Sequence, residues 1–125
     1  MSDTDATSGK HLRSKYAIVG VGETEYTRGS GRTTRAMGTE AVRCAVQDAG
    51  LNMTDVDGML SYSSNDSTMS PTIAGDLGIR LNFHMDVIGG GSSTEALIGI
   101  AMGIIEAGMC NTVVIYRSMN GFSGV

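Results

Sequence analysis

The residues with the clearest potential for chemistry lie in one short turn at positions 89–94, with the sequence GGGSST. The turn follows an apolar run typical of a strand and precedes an apolar helix. A helix that begins there directs free backbone N–H groups and the positive end of its dipole at the turn. The turn could therefore receive a phosphate, a carboxylate or a developing oxyanion. Spacing alone leaves an alternative open, in which Ser92 or Ser93 only caps the helix.

Nucleophilic and nucleotide-binding readings of the chain have little support. A nucleophilic serine at position 92 or 93 needs a base and a third, orienting group, and His84 at a strand start does not complete a triad. The motif GVGETE at positions 20–25 has Glu25 where a dinucleotide fingerprint needs its third glycine. Neither motif predicts a catalytic or cofactor site.

Four other polar residues are expected to be structural. Asp55 and Asp57 are predicted to form a turn, and their spacing does not match a calcium-binding loop. Tyr62 and Tyr116 lie in predicted strands and are expected to pack, although either could face a cleft. No metal site is predicted.

Composition excludes several classes of partner. The net charge is −4 with only 9 Lys+Arg, so neither nucleic acid nor an anionic membrane surface is expected as a partner. No run reaches the ~20 apolar residues of a membrane span, and residues 1–14 read as a polar, disordered tail without a secretory signal. Cys44 and Cys110 lack metal-ligand spacing and are expected to be buried free thiols, as in the reducing cytoplasm.

Helical and strand patterns alternate along the chain. An apolar run at 16–24 predicts a buried first strand, and further strands are predicted at 59–63, 84–88 and 111–118. Helices are predicted from Thr34, with Thr33 or Thr34 as the N-cap, to a C-cap at Gly50, over 71–79 beginning with Pro71, and over 95–108. The last helix is apolar almost all round, so most of its faces should be buried. This order predicts an α/β fold with a mostly parallel sheet and helices on both faces.

These elements together resemble the N-terminal half of the thiolase superfamily, in its lipid-transfer-protein type. The resemblance runs from Tyr16 to Gly121 through AIVGVGETEYTRGSGR, AVQDAGL, TDVDGML and GGGSSTEAL with GIIEAGMCNTVVIYRS. It implies a mixed, mostly parallel sheet of five strands around a buried central helix. Residues 15–125 would form an incomplete half domain, because the fifth strand and the C-terminal half are absent.

The resemblance gives the turn a specific meaning. Thiolases carry a nucleophilic cysteine at the start of the central helix, and counting back from Ala107 and Gly108 places that position at Gly91. A glycine there excludes a cysteine-bound acyl intermediate and implies the branch of steroid side-chain aldolases. Those enzymes cleave a β-hydroxyacyl-CoA by a retro-aldol reaction, with proton-transferring tyrosines in the C-terminal half, an OB-fold partner subunit and no cofactor beyond coenzyme A.

The resemblance also assigns substrate binding and assembly. Backbone N–H groups of the turn would bind the thioester oxygen; these residues are Gly89, Gly90, Gly91, Ser92 and Ser93. A homodimer is expected to pair through residues 84–88, so that a charge at Val87 disrupts it. Two alternatives remain: an acyl-CoA acyltransferase of the thiolase type that uses another cysteine, and a non-catalytic binding module. The 125 residues alone are expected to be inactive.

Overall fold

The computed structural model of the protein describes residues 12–63 and 66–120, so the predicted tail lies almost entirely outside it. Its elements in chain order are α1 (Thr34–Asp48), a 3-10 turn (Met53–Asp55), β1 (Gly58–Tyr62), α2 (Ser70–Leu77), β2 (Phe83–Val87), α3 (Ser93–Glu106) and β3 (Val113–Tyr116). The three strands fall within one to two residues of predicted positions, and the predicted alternation of helix and strand is confirmed from α1 onward.

The three strands form one parallel sheet with the order β2-β1-β3. Leu60 of β1 stands beside Met85 on one side and Ile115 on the other. All five residues of β1 are buried because the strand is central and both sheet faces are covered. The carboxyl ends of the three strands therefore meet at one edge of the sheet.

Helices cover both faces of the sheet, as predicted. Met59 points into a cluster with the helices α1 and α2, which contribute Val42, Val46, Ile73 and Ala74. Leu60, the next residue, points to the opposite face and packs against α3 at Leu97, Ala101 and Ile104. The alternation along β1 thus separates two apolar clusters and holds α3 alone on its face.

Local capping explains where the first two helices begin and end. The side chain of Thr33 accepts a hydrogen bond from the Ala36 amide at 3.1 Å and caps α1. Gly50, the predicted C-cap, follows the capping residue Ala49 and has a φ of 72°. Gly78 ends α2 with a φ of 68°, and Pro71 stands in its first turn.

The predicted first strand at 16–24 is wrong for this structure. The segment is extended, yet it joins no sheet, and Ile18, Val19 and Val21 are 74%, 62% and 72% exposed. A cleft of about 930 Å³ lies between the segment, α1, α3 and β3. The apolar pattern of the segment is that of a buried strand, but no neighbouring strand is present to bury it.

The segment 16–24 is nevertheless fixed in place. The amide of Val21 donates to the carboxylate of Asp48 at 2.9 Å. A Cβ atom at Gly20 or Gly22 would overlap the α1 backbone near Ala45, so both glycines allow a close approach of segment and helix. Its position beside the cleft is therefore set by packing on α1.

The helix α3 is less buried than its sequence predicts. A single stripe of the helix is buried against the sheet, whereas Ile98 is 42% exposed and faces the cleft. The expectation that most faces are buried is wrong within the described residues, because only the sheet covers the helix. Its outer face keeps the apolar character of a surface that packs against further protein.

Candidate functional site

The turn predicted to carry chemistry lies at the carboxyl edge of the sheet. It follows β2, which ends at Val87, and leads into α3 at Ser93. Tyr62 and Arg117 stand at the carboxyl ends of the two neighbouring strands. Ligands of open parallel sheets bind at this edge, in the crevice where the connections of adjacent strands leave to opposite faces, as α2 after β1 and α3 after β2 do here.

The three glycines of the turn differ in what they do for the fold. A Cβ atom at Gly89 would lie 2.5 Å from the hydroxyl of Ser93, so Gly89 lets the turn fold back on the start of α3. At Gly90 and Gly91 nothing lies within 4 Å of that position, and neither residue has a left-handed φ. The described residues therefore give no packing or backbone reason for these two glycines, and the space before α3 stays open.

The start of α3 has no side-chain cap. Ser92 holds the N-cap position with a φ of −79° and a ψ of −2°, and its hydroxyl makes no capping hydrogen bond. The alternative in which Ser92 or Ser93 serves only as a helix cap is therefore wrong in this structure. The first-turn N–H groups remain oriented toward the turn, where an oxygen could accept from them.

The acidic side chain of Glu95 makes the start of α3 a poorer site for a ligand with full negative charge than for an oxygen that gains negative charge during a reaction. Glu95 is exposed in the first turn of α3 and carries a carboxylate. That carboxylate stabilises the positive end of the helix dipole but repels a phosphate dianion. A neutral thioester carbonyl, which gains negative charge only during a reaction, avoids most of that repulsion.

Tyr62 connects the sheet to the turn, which the sequence did not reveal. Its buried hydroxyl donates a hydrogen bond to the carbonyl oxygen of Gly89. The guanidinium carbon of Arg117 lies 4.0 Å from the centre of the Tyr62 ring. Sequence reasoning expected Tyr62 to pack, or else to face a cleft, and did not predict its bond to the turn; its position at a strand end was the available signal.

Tyr116 packs into the sheet, as expected. Its hydroxyl donates to the carbonyl of Thr68 at 2.6 Å. Burial, together with the nearby carboxylate of Asp86, raises the pKa of Tyr116 well above its ordinary value. This phenol therefore stays protonated at neutral pH, and Tyr116 is not a candidate general base.

Asp86 is half-buried and accepts several hydrogen bonds, a role that sequence reasoning missed. Its carboxylate accepts from the amide and the hydroxyl of Ser70 at 2.9 and 2.8 Å and also from the hydroxyl of Ser61. These bonds fix the start of α2 to β2. No signal marked Asp86, because an acid within a predicted strand is expected to face water.

The two aspartates predicted as turn formers hold the opposite edge of the sheet. Asp55 accepts from the amide of Asn52 at 2.8 Å. Asp57 accepts from the amides of Asn111 and Thr112 at 2.9 and 3.0 Å, which joins the chain before β1 to the chain before β3. Both residues are structural, as predicted.

The other candidate residues do not reach the turn. Cys110 is buried after the far end of α3, and burial raises the pKa of its thiol. Cys44 lies on α1, across the sheet from α3, and is half-buried, so the prediction that it is buried is wrong. His84 is exposed near the start of β2, whereas Ser92 and Ser93 follow its end, so no triad forms.

The described residues contain neither a candidate metal cluster nor a candidate membrane-spanning helix. Within residues 12–63 and 66–120, no three His, Cys, Asp or Glu side chains stand close enough to hold a metal ion. Over the same residues, no helix combines the length and the apolar character that a membrane crossing requires.

Comparisons with known proteins decide the fold. No family model matches the chain. It is 36% identical over 115 residues to the 17-hydroxy-3-oxo-4-pregnene-20-carboxyl-CoA lyase of Mycobacterium tuberculosis, which covers 91% of this chain and 30% of the lyase. The Ltp2-ChsH2(DUF35) aldolase superposes with a TM-score of 0.81 at 35% identity, over 87% of this chain and 28% of that chain.

A second structure extends the likeness to the thiolases. The SCP2-thiolase-like protein type 1 of Mycobacterium smegmatis superposes with a TM-score of 0.64 at 25% identity, over 78% of this chain and 22% of that chain. The chain has the fold of the N-terminal half of the thiolase superfamily. This thiolase-like half spans about 30% of the length of the lyase that it matches. The three strands that the structure describes are all parallel.

The open turn predicts that an added methyl group at Gly91 leaves the fold unchanged. Gly91→Ala should change the free energy of unfolding by no more than about 0.5 kcal/mol, because the new Cβ meets nothing within 4 Å. Gly58→Ala is the matched control, since its Cβ would lie 2.8 Å from the Cys110 sulfur; overpacking there costs about 1–3 kcal/mol. Urea unfolding followed by circular dichroism measures both. Equal losses for the two variants would mean that Gly91 serves the fold.

Proposed function

We propose that this chain is the N-terminal portion of a thiolase-like aldolase that cleaves a β-hydroxyacyl-CoA with a steroid side chain by a retro-aldol reaction. The observation that carries the proposal is the open turn: Gly90 and Gly91 leave space before an uncapped helix start, and no thiol stands there. The 36% identity to a carboxyl-CoA lyase supports the substrate class. The compound in the name of that lyase has a hydroxyl group on the carbon β to the thioester.

The chemistry needs two things from the protein. A base removes the proton of the β-hydroxyl group, the bond between the α and β carbons breaks, and a ketone forms at the β carbon. The bonding electron pair passes to the thioester as an enolate, which is protonated at the α carbon to give the shorter acyl-CoA. An enolate oxygen requires fixed hydrogen-bond donors, and we assign this role to the N–H groups of Ser92 and Thr94, because the Ser93 N–H already donates to the Gly90 carbonyl at 3.0 Å.

A thiolase mechanism fits this chain poorly. It requires a thiolate beside the substrate carbonyl, and Cys110 is buried, with its pKa raised, after the far end of α3. Cys44 lies on the other side of the sheet. The base for the retro-aldol step is expected in the C-terminal half, as the resemblance to the aldolases implies; the buried phenol of Tyr116 is held neutral and does not supply it.

The proposal predicts which reaction the complete polypeptide catalyses with its partner subunit. A steroid β-hydroxyacyl-CoA should yield a ketone and a shorter acyl-CoA, measured by mass spectrometry, whereas acetoacetyl-CoA with free coenzyme A should not be thiolysed. Gly91→Ala should lower kcat by roughly 10- to 100-fold, because a methyl group displaces the thioester from its donors. Gly75→Ala, at an exposed position of α2 with open space around it, should leave kcat unchanged.

Two outcomes would contradict this function. Thiolysis of acetoacetyl-CoA without retro-aldol cleavage would identify an acyltransferase. Acyl-CoA binding without turnover of either substrate, by an otherwise folded complex, would identify a non-catalytic binding module.

We further propose that a strand from the rest of a longer polypeptide fills the cleft between residues 16–22 and β3. The cleft volume of about 930 Å³ accommodates a short strand with its side chains. The exposed Ile18 and Val21 and the free edge of β3 would all be covered by such a strand. The half domain of residues 15–125 would then be incomplete alone, as the resemblance implies.

Amide hydrogen exchange of the full-length polypeptide tests this packing. The amides of 16–22 should exchange about as slowly as those of β1, because a paired strand protects them, and faster exchange is expected in the loop at 27–31. Exchange in 16–22 as fast as in that loop would contradict the proposal.

We also propose an assembly of two kinds. An OB-fold partner subunit is inferred from the likeness to the Ltp2-ChsH2(DUF35) aldolase. A homodimer is inferred from two observations. The strand β2 lies at an edge of the described sheet, and Ile88, the next residue, is 85% exposed. The free cysteines are consistent with a cytoplasmic location, and coenzyme A is present only as part of the substrate.

The dimer is better tested at Ile88 than at Val87. Val87 packs partly against the α3 cluster, so a charge there would also damage the core. Ile88→Glu should convert dimers of the full-length protein into monomers in light scattering, since the charge would be buried at the edge. Met109→Glu, at a half-exposed position beyond α3, is the control that should remain dimeric. A dimeric Ile88→Glu protein would exclude this interface.

A further inference from the structure

Tyr62 and Arg117 form a stacked pair at the carboxyl edge of the sheet. Ser61 of β1 and Tyr116 of β3 are paired, so Tyr62 and Arg117 follow side by side and point to the same face. The ring of Tyr62 is only 8% exposed, and the guanidinium group of Arg117 covers it at 4.0 Å from the ring centre. A cation this close to a desolvated ring is attracted by the ring quadrupole.

The Tyr62 hydroxyl connects this stacked pair to the turn. It donates to the carbonyl of Gly89, the residue at which the turn begins. This bond joins the backbone of the turn to the sheet. The residues of the turn are exposed, and the hydrogen bond from the Ser93 amide to the Gly90 carbonyl at 3.0 Å joins the turn to the start of α3.

We propose that Arg117 is a positioning residue for the turn and acts through Tyr62. Its planar guanidinium fixes the ring, the ring hydroxyl fixes Gly89, and Gly89 sets where the amides at the start of α3 point. This role rests on the proposed function, because those amides are the donors assigned to the enolate oxygen. Displaced donors weaken transition-state binding more than substrate binding, so the loss falls on kcat rather than KM.

Lysine cannot replace arginine in this role. Lys has a point charge and no plane to stack on the ring, so Arg117→Lys keeps the charge and loses the geometry. Tyr62→Phe keeps the ring and loses only the hydroxyl. The two conservative variants therefore remove successive links of one chain of contacts, and a unit of this kind gives non-additive effects.

A double-mutant cycle in the full-length complex tests the pair. Each single variant should lower kcat by roughly 10- to 100-fold with KM changed by less than about threefold. The kcat of the double variant should be no lower than that of the less active single variant. Arg43→Lys, on the exposed face of α1, is the control that should behave as the wild type. Independent, multiplying effects, or unchanged kcat in either single variant, would overturn the proposal.

Amide exchange gives a readout that needs no turnover. Both single variants should accelerate exchange of the Ser93 amide, which donates to the Gly90 carbonyl, while β1 remains protected. Wild-type protein without retro-aldol activity would refute the proposed function, and the exchange rate would still decide the positioning role. Unchanged exchange of the Ser93 amide in Tyr62→Phe and Arg117→Lys would refute that role even in an active enzyme.

Discussion

The complete burial of β1 is the constraint on which the structure depends. This strand has a neighbour on each edge and a helical layer on each face, so its side chains divide the protein into two apolar clusters. The division places α3 alone on one face and aligns the carboxyl ends of the strands. The turn at 89–92 and the stacked pair of Tyr62 and Arg117 meet at that edge because the strand register brings them there.

The open turn makes sense as a consequence of that arrangement. A buried parallel sheet fixes the base of the turn, and α3 fixes its far end, so the glycines between them need not hold the fold. Gly90 and Gly91 have neither a left-handed backbone nor a close neighbour. A thiolase-like fold that leaves this position without a thiol keeps the helix donors and loses the covalent route, which agrees with the relationship to a lyase.

Sequence patterns predicted the parts of the fold that local physics determines. Thr33, Gly50 and Pro71 marked helix ends through capping and backbone preferences, and the three described strands followed from apolar runs. The segment at 16–24 and the outer face of α3 were predicted to be buried and are exposed, because no element within the described residues covers them.

The place of the turn between a strand and a helix was predicted, whereas its role in substrate binding stays a prediction. The residues from Gly89 to Ser93 were identified from the strand, turn and helix pattern, and Gly91 from the resemblance. The Tyr62 bond, the Arg117 stack and the Asp86 network depend on strand register and side-chain direction, which single-sequence patterns do not specify. Each joins residues that are 16 to 55 positions apart.

A structure of the full-length complex with a non-cleavable steroid β-hydroxyacyl-CoA analogue tests the central claim most directly. The measured quantity is the distance from the thioester oxygen to the amide nitrogens of Ser92 and Thr94. We predict hydrogen bonds of about 2.7–3.1 Å there, with the thioester carbon above Gly91. A thioester bound away from the start of α3, or held against a cysteine, would contradict the account.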